Sequence, residues 1–323
     1  MLRDSLATIA VIVAFGLSGC VQEKQQGTSQ NGNSSGGSGG SGSSSRGGFF
    51  FCDTRDLDRD SSKNLANLFS DFNKSFVAKA SSNSSTLYTI PVNFHVIMKD
   101  DSAEGGDVPD ESLAEQVDIL NRAYSGEIGG VATPYRFELA GINRVVNGKW
   151  HSFAPGAPEE TEVKKALRVG DAKTLNVFIM DILVPKGGTG KILGYSTFPF
   201  VYKMQPALDG IMLHYRAVPG SDLDHYNTGH VLVHESGHWL GLLHTFTGAC
   251  DGLFTDLVSD TPREKTPTRG NYCPTNLDSC PSNPGLDPIH NHMTYTGDEC
   301  RTEFTSGQVS FMKFNTMIFR GLK

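Results

Sequence analysis

No run of apolar residues in this 323-residue chain reaches the roughly 20 that a helix needs to cross a bilayer. The apolar stretch from Leu6 to Leu17 is too short for that role. Positive charge is also in short supply. With 28 Lys and Arg against 35 Asp and Glu, the net charge is −7, which argues against nucleic acid as the main partner. From Gln22 to Gly48 there is hardly an apolar side chain, so this Gly, Ser, Gln and Asn tract cannot bury enough surface to offset its ordering entropy and reads as a flexible tether. Cysteine is sparse, six residues in all, so each can be considered separately. What remains, 38% hydrophobic and 20% charged overall, suffices for one good-sized globular domain with extensions.

Arg3, the apolar stretch and Leu17-Ser18-Gly19-Cys20 have the layout of a signal peptide. The small residues before Cys20 resemble a bacterial lipobox, which implies cleavage there and a lipid on its sulfur; an ordinary secretory signal with an incidental Cys20 is the alternative. The expected organisation is a signal peptide over 1–20, the tether over 21–48, a pro-segment and linker over 49–86, and a catalytic domain over 87–323.

The chemistry is concentrated in His234-Glu235-Ser236-Gly237-His238-Trp239-Leu240-Gly241-Leu242-Leu243-His244. After the apolar Val231-Leu232-Val233 this reads as a buried helix whose His234 and His238, four apart, project from one face and can chelate one ion. Gly241 permits a sharp exit that returns His244 as a third ligand. Three imidazoles with one open position describe a catalytic zinc site, since a structural one is closed by four protein ligands. Glu235, one residue round the helix, can reach a water at that position as general base.

The extended motif is the metzincin zinc signature, and Asn291-His292-Met293-Thr294-Tyr295 supplies the methionine turn that such enzymes place beneath the metal. Together with Ser259-Asp260-Thr261-Pro262, Asp287-Pro288-Ile289-His290-Asn291, Leu193-Gly194-Tyr195-Ser196-Thr197-Phe198-Pro199 and Phe304-Thr305-Ser306-Gly307-Gln308, the chain resembles the pappalysin family of metzincins from about Tyr88 onward. It is most similar to the cytophagalysin and ulilysin branch and to secreted fungal metalloproteases. It departs at Thr294, where Asp is usual, and at His292, where an aromatic is usual; neither change removes a ligand.

The resemblance implies a zinc endopeptidase in which Met293 packs beneath the metal without binding it and Tyr295 supports the metal or the oxyanion. Four late cysteines allow three pairings, and the resemblance implies Cys250 with Cys280 and Cys273 with Cys300. Such bonds need an oxidising compartment, in agreement with export. That leaves Cys52, which is either a latency thiol occupying the open zinc position until the pro-segment is cleaved or a buried or intermolecular cysteine. Asp251, Asp256 and Asp260 crowd one loop with hard oxygens suited to calcium, which the family also implies, although the spacing is not that of an EF-hand. Asp298 and Glu299 are expected to line the pocket for the residue after the scissile bond, which would then prefer a basic side chain.

The expected fold is α/β, a metzincin-type zincin domain with a twisted, mostly parallel sheet, an active-site helix and an irregular C-terminal subdomain. Strands are expected over Leu87 to Ile97, Tyr135 to Ile142, Leu175 to Asp181 and Leu193 to Phe198, and helices over a short stretch of 57–85, from Asp110 through Tyr124, and over Glu160 to Leu167 and Ser306 to Phe319. Gly194, Tyr195 and Ser196 would form the edge to which an extended substrate adds through main-chain hydrogen bonds. The expected partners are protein or peptide substrates taken by a monomer, with a membrane reached only through the N-terminal lipid. A non-catalytic surface module for peptide capture or adhesion on the same fold is the rival reading.

Overall fold

The computed structural model describes residues 50–52, 54, 59–77, 86–188, 190–250, 255–268 and 273–322. The leader, Cys20 and the tether lie outside them, as do Asp53, Arg55 and Asp251. Among the described residues no helix is long and apolar enough to cross a membrane.

Two strands form the heart of the sheet because their residues are apolar on both faces, as a parallel strand covered on each side requires. In β2 (Tyr88–Met98) the side chains of Ile90, Val92, Phe94, Val96 and Ile97 are fully buried. In β5 (Leu175–Ile182) those of Leu175, Val177, Phe178, Ile179 and Met180 are as well. Around them the order is β1 (Phe50–Cys52), β6 (Lys191–Ser196), β7 (Ile211–His214), β5, β2 and β3 (Tyr135–Val146), with the short β4 (Ser152–Phe153) beside the end of β5. All pairings are parallel except β6 with β7. The sheet is therefore mixed but mostly parallel, as expected for the α/β domain.

The chain begins its helical elements with α1 (Arg59–Val77), longer than the short helix expected there. α2 (Asp110–Tyr124) crosses from β2 to β3 and turns Leu113, Val117, Leu120 and Tyr124 inward at helical spacing. Among the described residues, the other α-helices of six residues or more are α3 (Pro158–Leu167), α4 (Pro199–Met204), α5 (His230–Trp239) and α6 (Ser306–Asn315). The last was expected to run through Phe319; instead Thr316–Arg320 widens into a π turn.

That turn delivers a fully buried Arg320 to the end of α5. Its Nε donates to the Trp239 carbonyl at 3.0 Å, Nη1 and Nη2 reach the two oxygens of Asp209 at 3.1 and 3.0 Å, and the guanidinium lies 3.5 Å from the Trp239 ring centroid. The C-terminal segment thereby satisfies a carbonyl that α5 leaves free. Removing either partner of such a buried pair costs about 3–5 kcal/mol, so this contact fixes where α5 ends.

The long segment after α5 is tied down covalently. Cys250 pairs with Cys280 and Cys273 with Cys300, the pairing implied by the resemblance, across 30 and 27 residues. Each closed loop of that length contributes about 3–4 kcal/mol by restricting the unfolded chain. α6 is anchored to the same segment through a capping box of Thr305 and Gln308. Asp260 reinforces it, accepting from Thr305 Oγ1, Ser306 Oγ and the Gly307 N–H at 2.8–2.9 Å, where a carboxylate complements the helix dipole.

Candidate active site

α5 is a helix made for burial. Val231 to Trp239 are all buried, and Tyr124 Oη donates to the Val233 carbonyl at 3.1 Å, fixing the helix against α2. At Gly241 the backbone takes φ 110°, and a Cβ would lie 2.5 Å from Asn315 Cγ, so both conformation and space demand glycine. The chain turns there and brings His244 back toward the helix.

The three imidazoles meet at their Nε2 atoms. His238 Nε2 lies 3.2 Å from His234 Nε2 and 3.1 Å from His244 Nε2. On the far side of the rings, His234 Nδ1 donates to the His292 carbonyl and His238 Nδ1 to the Leu242 carbonyl, both at 2.7 Å. Those bonds place the ring proton on Nδ1 and leave a lone pair on Nε2, an arrangement typical of histidines that bind a metal. Burial and the neighbouring His238 hold the His234 pKa well below its ordinary value, which keeps the ring neutral. Lone pairs converging at 3.1–3.2 Å in a dry interior repel unless a cation lies between them. The donor set therefore fits zinc.

Cys52 completes the group: its Sγ and the three ring nitrogens all lie within 4.8 Å of one another. Burial, then the charge of Glu235, pushes the thiol pKa well up, so a thiolate there needs a cation to stabilise it. β1 carries Cys52 in by pairing parallel to β6, with Cys52 opposite Gly194. The edge expected for substrate is thus covered by the chain's own segment. Tyr295 Oη donates to the Cys52 carbonyl at 3.0 Å and lies 3.1 Å from His244 Nε2.

Glu235 is fully buried beside the cluster, and Thr54 Oγ1 donates to its Oε2 at 3.2 Å while accepting from the Ser196 N–H at 2.8 Å. A Cβ at Gly194 would come within 3.0 Å of Glu235 Cγ and Oε1, so the bare strand is what makes room for the carboxylate. Met293 is fully buried beneath the helix, where a Cβ on Gly237 would meet its Sδ at 2.4 Å.

Residues 160–316 match the model of the peptidase M43 family, pregnancy-associated plasma protein-A. An extracellular metalloprotease of Sordaria macrospora is 40% identical over 240 residues, covering 73% of this chain and 78% of that protein. The chain belongs to the pappalysin family of metzincin peptidases. A second relative, the extracellular metalloprotease of Neurospora crassa, is 42% identical over 225 residues, which cover 68% of this chain and 72% of that one. Mature mirolysin of Tannerella forsythia, solved with a cleaved peptide, superposes with a TM-score of 0.62 at 27% identity, covering 73% of this chain and 95% of its own. Promirolysin of the same organism gives 0.62 at 25% identity over 78% and 89%. As a member of this family, the chain is a metalloprotease.

One residue of this family member's site escapes the sequence reading. Glu264 is buried and accepts from Thr245 Oγ1 at 2.8 Å and from Thr294 Oγ1 at 3.0 Å, joining the residue after His244 to the residue after Met293. The departure to Thr294 supplies one of these donors. Burial raises the Glu264 pKa from 4.5 to about 7. A native state that holds its proton more tightly than the unfolded chain gains stability below about pH 4.5 and loses it as pH rises to 7. Asp256, raised by burial from 3.8 to about 7, acts in the same direction. We expect unfolding free energy in urea to fall from pH 5 to 7, and Glu264→Gln to flatten that slope by about half, on the order of 2–3 kcal/mol. An unchanged slope in the variant would dismiss the assignment.

Of the carboxylates expected to hold calcium, Asp251 lies outside the described residues. Asp256 is buried, accepting from Thr261 Oγ1 and the Val258 N–H, and Asp260 caps α6. Among the described residues the groups able to gather round a metal reduce to Cys52 and the three histidines. A recess beside α5 is lined by Arg301, Val231, His234 and Glu235 among others, and Asp298 and Glu299 are not among its lining residues. Asp298 is turned inward onto Arg301 and Thr228, and exposed Glu299 faces His225 Nδ1 at 3.2 Å.

Proposed function

We propose that the chain is a zinc-dependent endopeptidase, exported from the cell, which Cys52 holds latent. The observation that carries this reading is the convergence of three Nε2 lone pairs next to a buried carboxylate, Glu235. Zinc, once held by His234, His238 and His244, supplies Lewis acidity that brings the pKa of water toward 7 and polarises a carbonyl. Glu235 takes one proton from the attacking water as its oxygen bonds to the scissile carbon, and gives that proton to the nitrogen as the carbon–nitrogen bond breaks. The Tyr295 hydroxyl donates to the oxyanion that develops on the carbonyl oxygen. The backbone of Gly194, Tyr195 and Ser196 aligns an extended substrate through main-chain hydrogen bonds.

In the latent chain the Cys52 sulfur would hold the zinc together with the three histidines, and the Thr54 hydroxyl donates to Glu235. Export is supported by the two disulfides and by relatives named as extracellular. An adhesion module would have no use for a carboxylate buried against the metal site. A quenched protein substrate, given to protein activated by limited proteolysis with and without chelator, tests the reading. Hydrolysis should fall at least about a hundredfold on chelation, return with one equivalent of zinc, and be accompanied by a lowered melting temperature, since metal bound only by the folded state stabilises it. Hydrolysis that ignores the chelator, in protein lacking stoichiometric zinc, would refute it.

A further inference from the structure

α1 lies in the stretch expected to be the pro-segment, and it packs on α6, an element that supplies none of the three histidines. Its inward face follows the helical repeat. Ser62 and Leu65 are buried and Ala66 and Phe69 half-buried, at positions i, i+3, i+4 and i+7, whereas Lys63, Asn67, Ser70 and Asp71 are exposed. The Phe69 ring centroid lies 4.8 Å from that of Phe311, edge on, and 5.3 Å from that of Phe314. Both α6 rings are fully buried, so the aromatic contact is a large apolar one.

The seat for α1 is built from parts that hold without it. α6 is fixed by its capping box and by Asp260. Ala66 lines one side of a groove of about 780 Å³ whose other walls include Val258, Asp260 and Pro262, in the loop closed by the Cys250–Cys280 bond. A surface already in place needs little ordering when its partner binds.

The segment thus touches the catalytic domain at two separate places, Cys52 at the histidine cluster and Phe69 on α6. Only four residues, 55–58, separate Thr54 from the start of α1. While α1 stays seated, so short a connection presents Cys52 to the cluster at an effective concentration on the order of millimolar. Cutting the chain between α1 and β2 breaks neither contact.

We propose that the face of α6 carrying Phe311 and Phe314 is a docking surface for α1, a second and metal-independent anchor that keeps the pro-segment bound after the chain is cut. Activation is then completed by the departure of α1, and the cut alone leaves the cleft closed. This rests on the latency reading above and adds a step to it.

The test uses the full-length chain with the recognition sequence of a site-specific protease inserted between Ser81 and Ser82. Fully cut wild-type protein should elute from gel filtration as one species containing both pieces, and its hydrolysis of the quenched substrate should rise only as the small piece is lost on dilution. Phe69→Ala should be as latent as wild type before cutting and, once cut, should lose the segment and gain activity at least about tenfold faster. Ala66→Leu, which extends the helix into the groove, should slow that loss. Cut Cys52→Ala protein should be active yet still elute with its segment, which a segment held by the metal alone would not do. Cut wild-type protein that is fully active at once with its small piece eluting separately, or equal rates of loss in wild type and Phe69→Ala, overturns the proposal and leaves latency through Cys52 standing. An uncut chain as active as one from which the segment has gone overturns both.

Discussion

Glu235→Gln protein should retain one zinc per chain and lose turnover of a protein substrate by at least about a thousandfold, close to 4 kcal/mol of transition-state stabilisation. Glutamine keeps the shape that fits against Gly194 and can still accept from Thr54, so folding and the three-histidine cluster are left as they are. What it lacks is a basic oxygen to take a proton. Metal analysis and a quenched-substrate assay on the same preparation separate this from His244→Ala, which should lose metal as well as activity. If Glu235→Gln kept turnover within tenfold of wild type, the general-base assignment would be untenable.

The parts of the site legible in the sequence are those whose geometry is local. His234, His238 and His244 fall within eleven residues, and a helical repeat plus one glycine turn is enough to place them. β2, β5 and α2 were equally readable, because their apolar residues follow the period of the element that buries them. Met293 and Tyr295 are more than 50 residues from His234 and could be nominated only through a family resemblance.

The contacts that escaped are those created by tertiary packing. Glu264 lies in an irregular segment whose residues follow no periodic pattern, and only the folded loop sets it between Thr245 and Thr294. Asp298 and Arg301, three apart, looked like an acidic pocket wall and an unremarked neighbour. In the fold Thr228, 70 residues earlier, and Arg301 both donate to the Asp298 carboxylate, which is buried. The edge strand was likewise foreseen as open, and nothing in residues 193–198 could announce that β1, some 140 residues before, would pair with it.

That pairing leads to the second large effect. In the full-length chain, Cys52→Ala should raise activity toward a protein substrate by about a hundredfold without any cleavage of the chain. Besides its pairing with β6, three contacts hold the segment in the cleft: the sulfur beside the three imidazoles, the Tyr295 hydroxyl on the Cys52 carbonyl, and Thr54 between Glu235 and Ser196. Each hydrogen bond contributes only about 1 kcal/mol net in exchange with water. The thiolate differs, because burial and Glu235 oppose its ionisation and only the metal can offset them. Alanine removes that bond and leaves a short strand of three residues, whose backbone pairing a substrate at working concentration can displace. Thr54→Ala, which frees Glu235 alone, should give a much smaller rise. Equal activity of wild-type and Cys52→Ala chains, measured before any processing on a gel, would mean that the sulfur does not hold the cleft shut.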